Sequence, residues 1–295
     1  MNQLKLLFYK ISFSDKNPVF KHFTKKAPLD KIYGEPYRIE YKGKTFNNQM
    51  ERGKGGIIFD IHGGGYLFGS HLDENHFCHY IHEKTGMSIV SCYYDLSRES
   101  KYPTQIKQIY QTIKTICNDP SVDTEHVFIM GHSAGGNAAA ALTLLSNEKK
   151  TFHIDGEILV YPVTDMASDP KRRPKIKGNI LPAGMMEVFN ALYFKKTSDA
   201  RSVFASPVLA SDEQIKGLPP TYIITCAKDE LRVDGIHYAD RLKANGVEVQ
   251  YSEVDEVHGF LENGMYNYYG KPQSESKSAK EDTDKIIRWI VAHAE

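Results

Sequence analysis

The chain has 295 residues, of which 41% are hydrophobic and 25% charged, a composition typical of a globular protein. Its 37 basic and 37 acidic residues give a formal net charge of zero, so charge does not indicate a nucleic-acid partner or an anionic membrane. The four cysteines are scattered along the chain, which predicts reduced thiols in a cytoplasmic protein. The N-terminus has no signal-peptide pattern, and no stretch reaches the roughly 20 apolar residues of a membrane span, which supports the same prediction.

From residue 57 onward, short apolar segments alternate with helical patterns. The predicted strands are Ile57–Ile61, Met87–Tyr94, Val127–Met130, Glu157–Tyr161, Thr221–Cys226 and Val247–Val254. Most are continuously apolar, as expected for parallel strands buried on both faces. Helical periodicity is found in residues 103–117, 138–146, 235–246 and 284–295. The alternation predicts right-handed βαβ units in an α/β fold, with a mostly parallel central sheet flanked by helices.

Two segments do not fit this alternation. Residues 1 to about 48 are polar and aromatic and end in a strand-like stretch, while residues 165–205 contain a basic run and the helical pattern 183–194. We expect both to form a small cap above the sheet. No linker or repeat divides the chain, so residues 1–295 are predicted to be a single domain. Pro170 precedes the basic run Lys171–Lys177 and Pro174 interrupts it, so we interpret it as a solvated loop and not as a nucleic-acid patch.

The sequence GHSAG, residues 131–135, lies between a predicted strand and an alanine-rich helix. The pattern G-x-S-x-G at such a place is typical of a tight turn that exposes a nucleophilic serine above the sheet. Glycines are needed because a Cβ there would collide with the adjoining strand and helix. Ser133 is therefore the candidate nucleophile, and a glycine-rich helix start with an incidental serine is the alternative interpretation.

A second glycine-rich stretch, HGGG at residues 62–65, follows the strand that ends at Ile61. Its backbone N–H groups can stabilise charge on a tetrahedral intermediate, as an oxyanion hole does. We assign this role to Gly64, Gly65 and Ala134, with Gly63 as a substitute donor. A phosphate-binding loop is the rival interpretation, but no Lys-Ser/Thr pair follows the glycines.

A nucleophilic serine needs a base, and the base needs an acid that fixes its tautomer. His258 follows the last predicted strand, beside a glycine, and Asp229 follows the strand before it. The order Ser, Asp, His is that of α/β-hydrolases. Glu230 and Asp234 are competing acids, although Asp234 is expected to lie on the following helix and to point elsewhere.

Several histidines could suggest a metal site. His76, His79 and His82 recur at every third residue, but no HExxH pattern accompanies them. We therefore expect neither a metal nor an organic cofactor. His132, beside the candidate nucleophile, is expected to face away from it and to serve packing or hydrogen bonding.

The chain resembles the hormone-sensitive-lipase-like esterases (bacterial family IV) of the α/β-hydrolase superfamily. The motifs that carry the resemblance are HGGGY (62–66), YYDLSRESKYP (93–103), GHSAGGN (131–137), SPVLA (206–210), LPPTYIITCAKDELRVDG (218–235), YADRLKANGV (238–247) and HGF (258–260). It implies an α/β-hydrolase fold, the triad Ser133, Asp229 and His258, and HGGG as the oxyanion loop. One departure stands beside the nucleophile: the family has Asp where this chain has His132.

These residues and the resemblance predict a serine carboxylesterase that hydrolyses short-chain acyl esters through an acyl-enzyme. The expected substrate pocket is formed by apolar residues of the oxyanion loop, the cap and the His258 loop: Tyr66, Phe68, Met185, Met186, Phe189 and Phe260. Alternatives are an amidase, a peptidase or a sugar-deacetylating hydrolase with the same triad, or a non-catalytic binding protein. The expected partner is a small-molecule ester, with no nucleic acid or membrane, and the resemblance is compatible with a homodimer.

Overall fold

The computed structural model describes residues 31–261 and 277–295, which are built around an eight-stranded sheet of order β1-β2-β4-β3-β5-β6-β7-β8. The strands are β1 Glu35–Tyr41, β2 Lys44–Glu51, β3 Ile57–Ile61, β4 Ser88–Ser91, β5 Val127–His132, β6 Gly156–Val160, β7 Thr221–Cys226 and β8 Val249–Val254. All pairs from β4 across to β8 are parallel. The predicted α/β fold with a mostly parallel sheet is confirmed.

Helices cover both faces of the sheet. They are α1 Asn75–Thr85, α2 Thr104–Cys117, α3 Ala134–Lys149, α4 Ala183–Tyr193, α5 Asp212–Ile215, α6 Arg232–Ala244 and α7 Lys277–Ala292. Residues of α2, α3 and α6 form one core cluster, and residues of α1 and α7 form the other. Strands β3 to β7 are buried along their whole length, because helices cover them on both sides. The edge strand β8 is largely half-exposed or exposed until Val254.

The N-terminal segment corrects the cap prediction in part. Residues 35–51 form a β-hairpin, β1 and β2, which extends the sheet by antiparallel pairing with β4. Its turn is Lys42-Gly43, where both residues have positive φ (50° and 74°), as tight hairpin turns require. Residues 35–48 therefore belong to the sheet, while residues 1–30 lie outside the described part of the chain.

Residues 165–205 lie outside the sheet, as expected. They contain α4 and the short 3₁₀ helices Pro170–Arg172 and Thr197–Arg201. The segment is held by Arg173, whose Nε and Nη2 donate to the two carboxylate oxygens of Asp234 at 2.8 and 2.9 Å. Both side chains are buried, so this two-point ion pair fixes the segment to the start of α6.

No helix among the described residues is both long enough and apolar enough to cross a membrane.

Candidate active site

Ser133 lies in the turn between β5 and α3, with φ 55° and ψ −112°. This conformation is unfavourable for a residue with a side chain and is typical of a strained strand-to-helix turn. The neighbouring glycines permit it, since a Cβ on Gly131 would lie 2.2 Å from the carbonyl oxygen of Gly135. A Cβ on Gly135 would lie 1.9 Å from the carbonyl oxygen of Ile61. The glycine spacing is thus explained by backbone contacts.

The structure brings the side chains of Ser133, His258 and Asp229 together at the carboxyl edge of the sheet. His258 Nε2 lies 2.8 Å from Ser133 Oγ, and His258 Nδ1 lies 2.6 Å from Asp229 Oδ2. A carboxylate can only accept a hydrogen bond, so Nδ1 donates to Asp229. Nε2 is then left to accept the hydrogen bond of the Ser133 hydroxyl. This is the arrangement in which an imidazole can take the serine proton.

Asp229 is held in one orientation. It is completely buried just beyond β7, and its Oδ1 accepts a hydrogen bond from the backbone N–H of Leu231 at 2.9 Å. The competing acid Asp234 lies on α6, as expected, and is bound by Arg173. The His258 ring is tilted against the ring of Tyr161, with centroids 4.9 Å apart.

The HGGG segment forms a tight loop beside the turn that carries Ser133. Gly64 and Gly65 have φ values of 100° and 62°, which favour glycine. The N–H of Gly63 donates to Glu74 Oε1 at 3.2 Å, so the substitute donor is engaged elsewhere. Within the described part of the chain, the backbone N–H groups of Gly64 and Gly65 donate no hydrogen bond. They are therefore available to an anionic oxygen next to Ser133.

His62 supports this loop from below. Its Nδ1 donates to the carbonyl oxygen of Gly63 at 2.8 Å, and its ring stacks on Tyr94 with centroids 4.2 Å apart. Complete burial lowers the pKa of His62 to about 3, so the imidazole is neutral at physiological pH. The side chain is occupied by the loop and is not placed to act on Ser133.

A cavity of about 250 Å³ opens onto Ser133 and His258. Of the six residues expected in the pocket, Tyr66, Phe68, Met186 and Phe189 line it. Met185 and Phe260 do not. Met185 packs against the small cluster of Leu181, Met186 and Leu231, and Phe260 is buried in the core against Tyr161. The prediction for these two residues is corrected.

The sequence analysis missed other residues of the cavity wall. They come from the segment after β6 and from the cap: Tyr161, Val163, Asp165, Met166, Leu181, Asn190 and Tyr193. Residues 161–166 lie at and just beyond the carboxyl end of a predicted strand, and that position was the available signal. Two of the histidines considered as metal ligands have other partners, since His79 Nδ1 lies 2.7 Å from Glu51 Oε2 and His82 Nδ1 lies 2.8 Å from the carbonyl oxygen of Met87.

The fold and the site define a hydrolytic enzyme of the esterase class. The sequence profile of a family with the α/β-hydrolase fold matches residues 58–262. The chain therefore belongs to this α/β-hydrolase family, in the branch of the hormone-sensitive-lipase-like esterases, and the resemblance noted in the sequence is confirmed.

Known proteins similar to this chain have related descriptions. An arylesterase of Saccharolobus solfataricus is 28% identical, and the match covers 83% of this chain and 79% of the relative. An arylacetamide deacetylase of Bos taurus is 27% identical, with coverages of 81% and 80%. The crystal structure of an esterase from Pseudomonas putida is 26% identical and superimposes with a TM-score of 0.81, covering 100% of this chain and 98% of the other.

Proposed function

We propose that this protein hydrolyses short-chain acyl esters with Ser133 as nucleophile, His258 as general base and Asp229 as the acid that orients it. The observation that carries the proposal is the continuous relay of two hydrogen bonds, 2.8 Å from Ser133 to His258 and 2.6 Å from His258 to Asp229. Side chains that are 125 residues apart in sequence meet here with donor and acceptor in the required order.

The proposed reaction begins when Ser133 Oγ attacks the ester carbonyl and its proton passes to His258 Nε2. Asp229 stabilises the imidazolium that forms. The negative charge on the former carbonyl oxygen is stabilised by the N–H groups of Gly64, Gly65 and Ala134. His258 then donates its proton to the leaving alcohol, and a water molecule that it deprotonates releases the acid from the acyl-enzyme.

The dimensions of the cavity support a short acyl group. Its volume of about 250 Å³ is below the roughly 300–1,000 Å³ typical of clefts for drug-sized ligands. Phe189 of the cap lines the cavity and contacts the oxyanion loop, since a Cβ on Gly65 would lie only 2.5 Å from the Phe189 ring. We expect this ring to limit the length of acyl chain that the cavity accepts.

The first test is hydrolysis of p-nitrophenyl esters from acetate to palmitate by the wild type, Ser133→Ala and Ser168→Ala. Ser168 is an exposed serine of the cap segment, so its variant controls for the substitution itself. We expect the wild type and Ser168→Ala to prefer the C2 to C6 esters and Ser133→Ala to be inactive. A folded wild type that hydrolyses none of the esters would contradict the proposal.

A second candidate is hydrolysis of N-acetyl aryl amides, favoured by the similarity to an arylacetamide deacetylase. The same relay would serve, with His258 donating its proton to an amine leaving group. 4-Nitroacetanilide tests it directly beside p-nitrophenyl acetate, because the two share an acetyl group and differ in the bond that breaks. A higher kcat/KM for the anilide would favour this candidate over the ester.

A further inference from the structure

A buried cluster of ionisable side chains lies directly behind the nucleophile turn. His132, the last residue of β5, is completely buried, and its Nε2 lies 3.4 Å from Asp60 Oδ1 and 3.8 Å from Glu74 Oε2. Asp60 belongs to β3 and Glu74 immediately precedes α1, and both carboxyl groups are also buried. Within the described part of the chain, this imidazole therefore faces carboxyl groups from two different elements.

The charges of this cluster favour a protonated His132. Two carboxylates facing each other in a low-dielectric interior are stabilised by a positive charge between them. Among the described residues, the neighbouring Cys78 and His62 do not supply that charge. Burial raises the pKa of the Cys78 thiol, so the thiol is neutral, and it donates a hydrogen bond to Asp60 Oδ2 at 3.3 Å. Burial also keeps the His62 imidazole neutral. The Tyr161 ring, on the neighbouring strand end, meets the His132 ring at a centroid distance of 6.1 Å.

Glu74 connects this cluster to the oxyanion loop. Its Oε2 faces His132, and its Oε1 accepts the hydrogen bond from the Gly63 N–H at 3.2 Å. Gly63 also lies against the turn, since a Cβ there would be 3.1 Å from the carbonyl oxygen of His132 and 3.4 Å from Ser133 Cβ. One carboxylate thus touches both the residue before the nucleophile and the first glycine of the loop.

We infer that His132 is a positively charged positioning residue that, through Glu74, sets the oxyanion loop in register with Ser133. The imidazolium stabilises both carboxylates, and Glu74 so held keeps the Gly63 peptide in place. The position of the Gly63 peptide in turn determines where the N–H groups of Gly64 and Gly65 lie. The kinetic part of this inference rests on the proposed function, whereas the charge of His132 can be measured without any ester turnover.

The charge is read first, by NMR of the histidine ring nitrogens in the wild type and in His132→Gln between pH 5 and 9. The signal lost in the variant identifies His132. We expect an imidazolium that persists at pH 8. A neutral ring at pH 7 would overturn the inference, and so would a stoichiometric divalent metal in the purified protein, because metal ligation requires a neutral imidazole.

The link to the loop is read from kinetics with p-nitrophenyl butyrate. We expect Glu74→Gln to lower kcat about 10- to 100-fold with KM within about twofold, because oxyanion donors act mainly in the transition state. Glu83→Gln, at an exposed acid of the same helix, is the matched control and should retain wild-type kcat. An unchanged kcat in a folded Glu74→Gln would refute the link.

Exchanging the histidine and one acid between two positions of the cluster tests whether charge or packing determines kcat. His132→Asp places a further carboxyl group in the cluster, and we expect kcat to fall at least 100-fold. The double variant His132→Asp/Asp60→His returns one imidazole to the cluster and keeps the Glu74 carboxylate that accepts from the Gly63 N–H, and we expect it to regain at least 10-fold of that loss. A double variant no better than the single one would rule out an electrostatic role. If the wild type hydrolyses no ester, the proposed function fails, and the NMR result alone decides the charge of His132.

Discussion

Replacing Asp229 with Asn tests the proposed relay in a way that the structure makes specific. The N–H of Leu231 donates to Asp229 Oδ1, so in the variant the amide oxygen must occupy that position to accept the same hydrogen bond. The amide NH₂ group then faces His258 Nδ1, where Oδ2 now lies at 2.6 Å. Nδ1 must become the acceptor, and the ring proton moves to Nε2 opposite the Ser133 hydroxyl. The base is converted into a donor.

The expected loss in kcat/KM is on the order of 10³- to 10⁴-fold, equivalent to about 4–5.5 kcal/mol of transition-state stabilisation. The assay is p-nitrophenyl butyrate hydrolysis at pH 7.5, with thermal melting to show that the variant folds. Asp229→Ala imposes no tautomer and is expected to retain more activity than Asp229→Asn. Glu230→Gln, at the adjacent buried acid, controls for loss of charge at this turn and should stay within about threefold of wild type. A loss below 10-fold in Asp229→Asn would refute the reasoning.

Three further predictions concern the cavity, the core and the cap. Phe189→Ala removes the ring against the oxyanion loop and is expected to shift the preferred p-nitrophenyl ester by at least two carbons; an unchanged chain-length profile would show that another wall sets the limit. Burial raises the pKa of Glu157 from 4.5 to about 7 in the folded state. Between these pH values the folded protein still holds this proton while the unfolded chain has lost it, so the free energy of unfolding falls as pH rises. We expect the free energy of unfolding of Glu157→Gln, measured in urea, to rise relative to that of the wild type by up to about 3 kcal/mol between pH 4.5 and pH 8. If the two proteins show parallel pH profiles, Glu157 does not have a raised pKa. Arg173→Met leaves Asp234 buried without its cation and should cost about 3–5 kcal/mol, which Asp234→Asn in the same chain should partly restore; no restoration would mean that packing of Arg173 dominates.

The residues of the relay could be predicted because each follows a recognisable strand. Ser133 lies among glycines whose backbone contacts exclude any side chain, and Asp229 and His258 come just after the ends of β7 and β8. Carboxyl ends of neighbouring parallel strands meet at one edge of a sheet. Local pattern and topology therefore gave the same answer.

The cavity wall was harder to predict, because α4 is apolar around most of its circumference. Met186 and Phe189, three residues apart, face the cavity, whereas Met185 is turned by one position toward a neighbouring cluster. Only the angle at which the helix packs decides this, and no residue pattern encodes it. Phe260 is close to His258 in sequence, but its ring enters the core.

The strand-like stretch before residue 48 was recognised, but its pairing with the central sheet was missed for a different reason. Its turn signal, Lys42-Gly43, is present in the sequence, yet β1 alternates buried and exposed positions only weakly. The antiparallel pairing of β2 with β4 also breaks the βαβ rhythm on which the prediction relied. Edge strands have one neighbour fewer, so their sequences are under weaker constraint and indicate their position less clearly.

The half-exposed edge strand β8 has a consequence for how the enzyme would fail on heating. Among the described residues it pairs with β7 alone, and the loop that follows it carries His258. Loss of that ladder would displace the proposed base while the central strands, covered on both faces, stayed intact. Catalytic inactivation would then begin at a lower temperature than the melting of the core, and it would reverse on cooling, since the scaffold that guides β8 back would never have been lost.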